Sequence, residues 1–555
     1  MDKAYVLQEN KDKFPLITDI TIDRLFLRLI IFDPGDHYIY MSKGKEEKIL
    51  LSKEQIEKDT YRISLELFCI DNKGFLENGL YSFGFYDTEL AGLLKKGGIP
   101  FFSCAVHEDI ARMIPSLSRV YKYGSNNYAY NISFNVFSSD DVIIHIKMAS
   151  FFVRIDKGWH KRTRESVRDF HTFKKKSKSL LKSTQHVFLR LLYRIFVSLC
   201  QQKSVMIIYK FTGSLAGNLA AIYKRMQEQG IDRNRSIVLQ SSDGGRKNVN
   251  TIEYMKIIRK LAQAEYIFVD GPVPILKYIK LSDKTKLVQL WHAGAGFKGA
   301  GFARFGIGES IFPNNLSHRQ VSHALAASPP LIDVFNEVIG IPKDRFFIAN
   351  MPRLDNWLNA KNIEQVKEKF FSDFPEFSSK KIILFAPTYR GKVSKGYYPY
   401  HMMDFKRVYD LLGEDSVMIV KMHPNIIESP VLDDFSKRII DLSGRIEIND
   451  ILLVTDVLIT DYSSTYYDFA LLKRPMIFFC FDKYIYENTR GVYQTVDDAA
   501  PGKVVNTFDE LLTALQNDDY DFDKTLKFYD DFFSDYNSQQ SASDYIIDNF
   551  LLKRD

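Results

Sequence analysis

The chain has 555 residues, 45% of them hydrophobic and 26% charged, an ordinary globular balance that excludes a disordered or low-complexity protein. Four scattered cysteines, Cys69, Cys104, Cys200 and Cys480, form no Cys-x-x-Cys pair, which argues against a disulfide framework or a zinc cluster and fits a reducing compartment. The polar N-terminus lacks an apolar signal core and no stretch approaches the roughly 18 apolar residues of a membrane span, so a cytoplasmic, non-spanning protein is expected, with a net charge of +6.

Residues 18–155 read as a β-rich N-terminal accessory domain. Tyr61-Arg-Ile-Ser-Leu-Glu-Leu and Ile132-Ser-Phe-Asn-Val alternate at period two. Turn signals at Asp33-Pro-Gly-Asp, Asp71-Asn-Lys-Gly and Asn78-Gly separate such runs, the pattern of a small sandwich. No catalytic constellation stands out in it. Residues 157–203 change character. Between 157 and 194 there are twelve Lys/Arg against two Asp/Glu, a net of +10, so a chain of +6 overall is −4 elsewhere. Lys161, Arg162, Arg164, Lys174, Lys175, Lys176 and Lys178 lead into an apolar run from Val187 to Val197, broken by Arg190 and Arg194. Such a basic amphipathic segment suits contact with an anionic membrane surface, which would make the protein peripheral on the inner face of the cell membrane. The competing reading is a solvated linker whose apolar residues dock on the next domain. Without a nucleic-acid module beside the patch, nucleic-acid binding is not expected.

From Ser204 the pattern alternates strand and helix. Val205-Met-Ile-Ile-Tyr, Ser236-Ile-Val-Leu, Tyr266-Ile-Phe-Val and Leu287-Val-Gln-Leu form one series. Ile382-Ile-Leu-Phe-Ala, Val417-Met-Ile-Val, Val457-Leu-Ile-Thr and Met476-Ile-Phe-Phe form another. Alternation of this kind predicts parallel sheets covered by helices. The expected fold is therefore α/β: two facing Rossmann-like domains (GT-B-like), 204–358 and 379–515, preceded by the small β-sandwich-like domain. Residues 516–555, acidic and aromatic, are expected to form a partly helical extension.

Ligands of open α/β sheets bind outside the carboxyl ends of the strands. Two histidines occupy such ends. His292 follows Leu287-Val-Gln-Leu and opens a glycine-rich loop with Gly294, Gly296 and Lys298, in which the backbone can approach a ligand and the lysine can neutralise a phosphate. The spacing matches neither a dinucleotide fingerprint nor a Walker loop, and a lone histidine of this kind is more often structural than catalytic. His423 ends the second strand of the later series in Lys421-Met-His-Pro. In the same series Ala-Pro-Thr-Tyr-Arg390 ends one strand, and Thr-Asp461-Tyr-Ser-Ser ends another and leads into a helix. Asp461, Ser463, Ser464 or Thr465 would lie at that helix start, where unpaired N–H groups favour an anion, although plain N-capping is the common alternative. The recurrence of a cation, an imidazole and a helix start at neighbouring strand ends predicts a phosphate site.

These motifs, in this order, resemble the CDP-glycerol glycerophosphotransferase family, the teichoic-acid and capsule polyol-phosphate transferases. Arg490-Gly-Val-Tyr and Ala-Ala-Pro501-Gly502 match its later segments, and the likeness covers about residues 204–515. Trp-His292-Ala-Gly-Ala-Gly-Phe-Lys departs from the Trp-His-Gly-Thr-Pro-Leu-Lys of many glycerol-phosphate enzymes and is more similar to the ribitol-phosphate polymerases. The resemblance implies transfer of glycerol- or ribitol-phosphate from CDP-glycerol or CDP-ribitol to the terminal hydroxyl of a prenyl-linked polymer acceptor, with release of CMP. It implies His292 as base and His423 on the pyrophosphate or departing CMP. Arg390, Lys421, Ser463, Ser464 and Thr465 would serve the donor phosphates, with Asp461 of the same donor site placing the loop and Arg490 a further anion contact. The CDP-polyol is a co-substrate and no tightly bound cofactor is expected. No clustered metal-ligand set appears in the sequence, which leaves a metal requirement open. Two other readings remain: a nucleotide-sugar glycosyltransferase or epimerase of the same architecture, and a non-catalytic membrane-docked scaffold.

Overall fold

The structure, a computed structural model, describes residues 15–552 except 44–46, 71–73, 87–101, 114–116, 125–127, 140–142, 155–186, 210–214, 242–250, 295–296, 306–310, 314, 393–394, 427, 491 and 534–539. The chain divides into two compact units.

In the N-terminal unit, alternating strands pair into two largely antiparallel sheets of five and seven strands. Phe26–Phe32 shows why: alternate residues Leu27, Leu29 and Ile31 are fully buried while their neighbours are not, as a sheet with one covered face requires. Both sheets feed one core, with Ile20, Leu29 and Ile63 from one and Met41, Phe83 and Tyr130 from the other. The two sheets and their shared core make a sandwich-like module. It also takes in two segments from far along the chain, 300–315 and 336–342. Phe302 and Phe305 of the first segment fill its core, and Phe305 packs 5.1 Å from the Tyr123 ring. The 204–358 span expected as one continuous domain is therefore interrupted, because aromatic side chains at 302 and 305 find their partners among residues 75–152. Gly301 belongs to this packing: at φ +53° its Cα lies so close to the Val338 carbonyl that a Cβ would sit 1.8 Å from the oxygen.

The second unit contains two six-stranded sheets, parallel throughout. The first runs, edge to edge, Ile237–Ser241, Ser204–Tyr209, Ala264–Val269, Lys286–Gln289, His323–Ala326, Phe346–Ile348. The second runs Ile439–Asp441, Ser416–Val420, Lys381–Phe385, Val457–Thr460, Met476–Phe479, Lys503–Val505. Its strands, counted along the chain, have the order 3-2-1-4-5-6, the doubly wound arrangement whose direction reverses between strands 1 and 4. Near-continuous apolar runs such as Val417-Met-Ile-Val are buried on both faces, as central parallel strands require. The strands Phe346–Ile348, Ile439–Asp441 and Lys503–Val505 were not legible, since three residues carry too little periodicity, nor was His323–Ala326, whose His-Ala-Leu-Ala lacks β-branched residues.

The C-terminal region contains the helices Phe522–Phe533 and Ala542–Ile546. The second returns to the first sheet. Arg225 of the helix Gly217–Glu228 forms a 2.6 Å ion pair with Asp544, and Phe550 contacts Tyr266 and Phe347. Residues 187–199 are helical, with Leu189 and Tyr193 buried and the Tyr193 hydroxyl accepting from the Ser282 N–H at 2.9 Å. No helix among the described residues is long and apolar enough to cross a membrane.

Candidate functional site

The direction reversal of the second sheet lies between Lys381–Phe385 and Val457–Thr460. The loops leaving these strands, 386–390 and 461–464, are the motif segments, and Lys421 and His423 leave the strand beside them. A ligand crevice is expected at this position on topological grounds alone.

Asp461 locks the two central loops together. Its carboxylate accepts from the Thr388 N–H at 2.7 Å, from the Tyr462 N–H at 2.6 Å and from Arg390 Nη1 at 2.9 Å, and the residue is 1% exposed. Arg390 is 7% exposed and is also gripped by Asp482, through Nε at 2.6 Å and Nη2 at 2.9 Å. The rings of Tyr398, Tyr462, Phe481 and Tyr486 surround its guanidinium. Burial opposes the charge, yet Asp461 and Asp482 more than offset it and hold the Arg390 pKa above the ordinary value. Asp461, expected to place the loop, bonds both loops, whereas Arg390, expected at the donor phosphates, has its guanidinium engaged by Asp461 and Asp482. A buried carboxylate, Asp461, and a half-buried one, Asp482, balance the cation.

The hydroxyl cluster lies at the helix start, where it was expected. The helix Thr465–Ala470 has Ser464 at its N-cap position without a side-chain cap bond, while Ser463 Oγ and Thr465 Oγ1 bond each other at 2.9 Å. All three residues are half-buried at the mouth of the loop. Arg490 ends the helix Lys483–Arg490, and its side chain falls outside the described residues, as do Gly296 and Lys161, Arg162, Arg164, Lys174, Lys175, Lys176 and Lys178.

Lys421 differs from Arg390. Among the described residues it forms no ion pair. Burial lowers its pKa from the usual lysine range, partly offset by Glu447 and Asp441. A half-buried ammonium in this state gains most from an incoming phosphate. A phosphate held by the charged form would be held less well as pH rises through that lowered pKa. Lys421→Arg should move this alkaline limb of the donor KM to higher pH, because a guanidinium keeps its proton. An unmoved limb would remove Lys421 from the phosphate contacts.

The two imidazoles are held in different ways. His292 Nδ1 lies 2.8 Å from the carbonyl of Asp270, at the end of the neighbouring strand, and its ring stacks on Trp291 with centroids 4.9 Å apart. A nitrogen facing a carbonyl carries the proton, so Nε2 of neutral His292 is the basic atom. At His423 the bond is reversed: the Asn425 N–H donates to Nδ1 at 3.1 Å, which puts the proton of the neutral ring on Nε2. Main-chain groups thus prepare one imidazole to accept a proton and the other to donate a hydrogen bond. Both residues are solvent-exposed.

Contacts link their surroundings. Lys298 Nζ reaches Thr388 Oγ1 at 3.4 Å, and the next residue, Tyr389, has its ring 4.8 Å from that of His423. Lys298 and Val492 form an antiparallel bridge, and the Tyr493 N–H donates to the Phe297 carbonyl at 2.8 Å. Gly294, expected to give a ligand room, is instead buried against the Tyr467 ring; a Cβ there would lie 2.3 Å from it. The close approach is real, but a protein ring occupies it.

Sequence reasoning missed Asp482, which pairs with Arg390 across 92 residues, and the Arg353–Asp468 pair, which spans 115, because no local pattern marks such pairings.

A family model described as CDP-glycerol:poly(glycerophosphate) glycerophosphotransferase matches residues 191–551. The teichoic acid ribitol-phosphate polymerase TarL of Staphylococcus aureus is 34% identical over 58% of this chain, and the match covers 58% of the TarL sequence. A teichoic acid poly(ribitol-phosphate) polymerase of Bacillus spizizenii is 26% identical over the whole chain and 84% of its own length. Among solved structures, the wall teichoic acid polymerase TagF superposes with a TM-score of 0.52 at 21% identity, over 67% of this chain and 97% of that one. This likeness concerns the fold.

Proposed function

Because the chain belongs to the CDP-glycerol:poly(glycerophosphate) glycerophosphotransferase family, we propose that it transfers a polyol phosphate from a CDP-polyol to the terminal hydroxyl of a prenyl-linked acceptor in teichoic acid or capsule synthesis. The opposed main-chain bonding of His292 and His423 is the observation that carries the reading. Nε2 of His292 takes the proton of the acceptor hydroxyl as its oxygen bonds to the polyol-bearing phosphorus. The bond from that phosphorus to the bridging oxygen breaks, and CMP leaves with the bonding electrons. Nε2–H of His423 and the Lys421 ammonium face the charge that develops on the leaving phosphate. Ser463, Ser464 and Thr465 offer further hydroxyl contacts, and Asp461 with Arg390 keeps their loop in register.

Ribitol phosphate is the favoured cargo. Relatives named as ribitol-phosphate polymerases and the Trp-His292-Ala-Gly-Ala-Gly-Phe-Lys segment both support it. The deciding experiment incubates the protein with a prenyl-linked primer and CDP-ribitol or CDP-glycerol separately and follows CMP and product mass. Polyol-phosphate addition with CDP-ribitol as the better donor is expected. Release of UMP or UDP from a nucleotide sugar, with no CMP from either CDP-polyol, would favour the glycosyltransferase or epimerase reading.

Contact with an anionic membrane completes the proposal. The helix at 187–199 docks through Leu189 and Tyr193 but exposes Phe188, Leu191, Ile195 and Leu199, which recur on one face. This stripe directly follows the cationic segment, a combination suited to the headgroup region. Deleting residues 161–178 should abolish low-salt sedimentation with anionic liposomes. Unchanged sedimentation would leave only the docked-linker role.

A further inference from the structure

Trp291, immediately before His292, has φ +51°. A tryptophan gains nothing in the left-handed region, and such a conformation costs about 1–3 kcal/mol unless its surroundings enforce it. Both peptide groups of Trp291 are held by side chains. Its N–H donates to Gln289 Oε1 at 3.0 Å, and its carbonyl accepts from Asn218 Nδ2 at 2.9 Å. Gln289 and Asn218 are both buried, each 2% exposed.

The Asn218 amide has one consistent orientation. Its oxygen accepts from the Arg353 N–H at 3.2 Å and from Arg353 Nη1 at 3.4 Å, which turns its nitrogen toward the carbonyls of Leu290 and Trp291. Arg353 in turn grips Asp468 through Nε at 2.9 Å and Nη2 at 2.6 and 2.8 Å. Burial raises the Asp468 pKa and Arg353 pulls it back. Asp468 lies on the helix Thr465–Ala470, directly after the Ser463–Ser464 loop. The two residues before it on that helix also reach the His292 loop: Tyr467 packs on Gly294, and Tyr466 on Phe297 at 4.5 Å.

We propose that Asn218, Arg353 and Asp468 are positioning residues that transmit the placement of the helix after the second sheet's Ser-Ser loop to the strained peptide before His292, and so fix the imidazole against the donor. The inference rests on His292 being the base. One helix thereby controls both partners of the transfer. Its N-terminal loop borders the donor phosphates, and its side, through Asp468, holds Trp291 in the left-handed region. If the Asn218 bond is lost, Trp291 can return to negative φ, which rotates the following peptide and swings His292 off the Asp270 carbonyl. The alternative is that the buried pair merely stabilises the fold.

Three variants separate these roles. Asp468→Asn and Arg353→Lys weaken the bidentate pair. Asn218→Asp keeps an acceptor for Arg353 but removes the donor to the Trp291 carbonyl. Each should lower kcat for CMP release by about 10²-fold, the scale of a misplacement near 1 Å, while the donor KM changes little. The double variant Asn218→Asp/Asp468→Asn should lose no more than the worse single variant, because both interrupt one path. A second readout needs no turnover: ¹⁵N-histidine spectra of the full chain report which ring nitrogen of His292 is protonated. Wild type should show Nδ1–H, and each variant a share of Nε2–H. If the His292 signal is unchanged in all three variants, or if the kcat losses multiply in the double variant, the coupling is wrong. If wild type releases no CMP from either CDP-polyol, the proposed function fails, and the spectra still decide whether the network holds His292.

Discussion

Replacing His292 with alanine should lower the rate of CMP release by about 10²–10⁴-fold, the usual worth of a general base. The imidazole is exposed, so the fold should tolerate its loss within about 0.5 kcal/mol. Donor KM should hold, because the proposed donor-phosphate contacts come from residues on the second sheet. His292→Asn sharpens the experiment. Its amide N–H can replace Nδ1–H on the Asp270 carbonyl but offers no basic nitrogen. Comparable loss in both variants, measured under saturating donor, identifies proton transfer as the function removed. Near-wild-type turnover by His292→Asn would assign the ring to placement alone.

Arg390→Ala should cost about 3–5 kcal/mol of stability, because it leaves the buried Asp461 carboxylate without its counter-ion. Asp461 is 1% exposed and loses its guanidinium, and Asp482 loses a two-bond grip. Of the surrounding rings, Tyr462 already donates one hydrogen bond to Asp482, at 3.1 Å, which does not replace the missing fork. The unfolding midpoint in urea should fall accordingly, and removing both charges with Asp461→Asn and Asp482→Asn should recover part of the loss. A phosphate-binding arginine predicts the reverse: donor KM rises steeply while the urea midpoint stays near wild type. The pair of measurements therefore distinguishes a loop-locking cation from a ligand-binding one.

The contrast between Arg390 and Lys421 shows the limit of motif reading. Both are cations at the ends of adjacent strands in one sheet, and sequence ranks them equally. Whether a cation faces a ligand depends on which carboxylates the fold brings beside it. Asp482 lies 92 residues from Arg390, and nothing local to either residue announces the pair. The same holds for Gly294, whose space is taken by Tyr467, and for residues 300–315, whose phenylalanines complete the core of the N-terminal unit.

Strand–helix alternation, two parallel series and the strand-end location of His292, His423, Lys421 and Asp461 were determined by the sequence itself. Buried parallel strands must be continuously apolar, and side chains that leave their carboxyl ends have one place to go. Tertiary structure alone decided the 3-2-1-4-5-6 order, the neutralisation of Arg390 and the hydrogen bonds that put the basic atom of His292 on Nε2 and the donor of His423 on its own. Each of these depends on groups distant in sequence or on main-chain geometry, and side-chain periodicity carries no record of either.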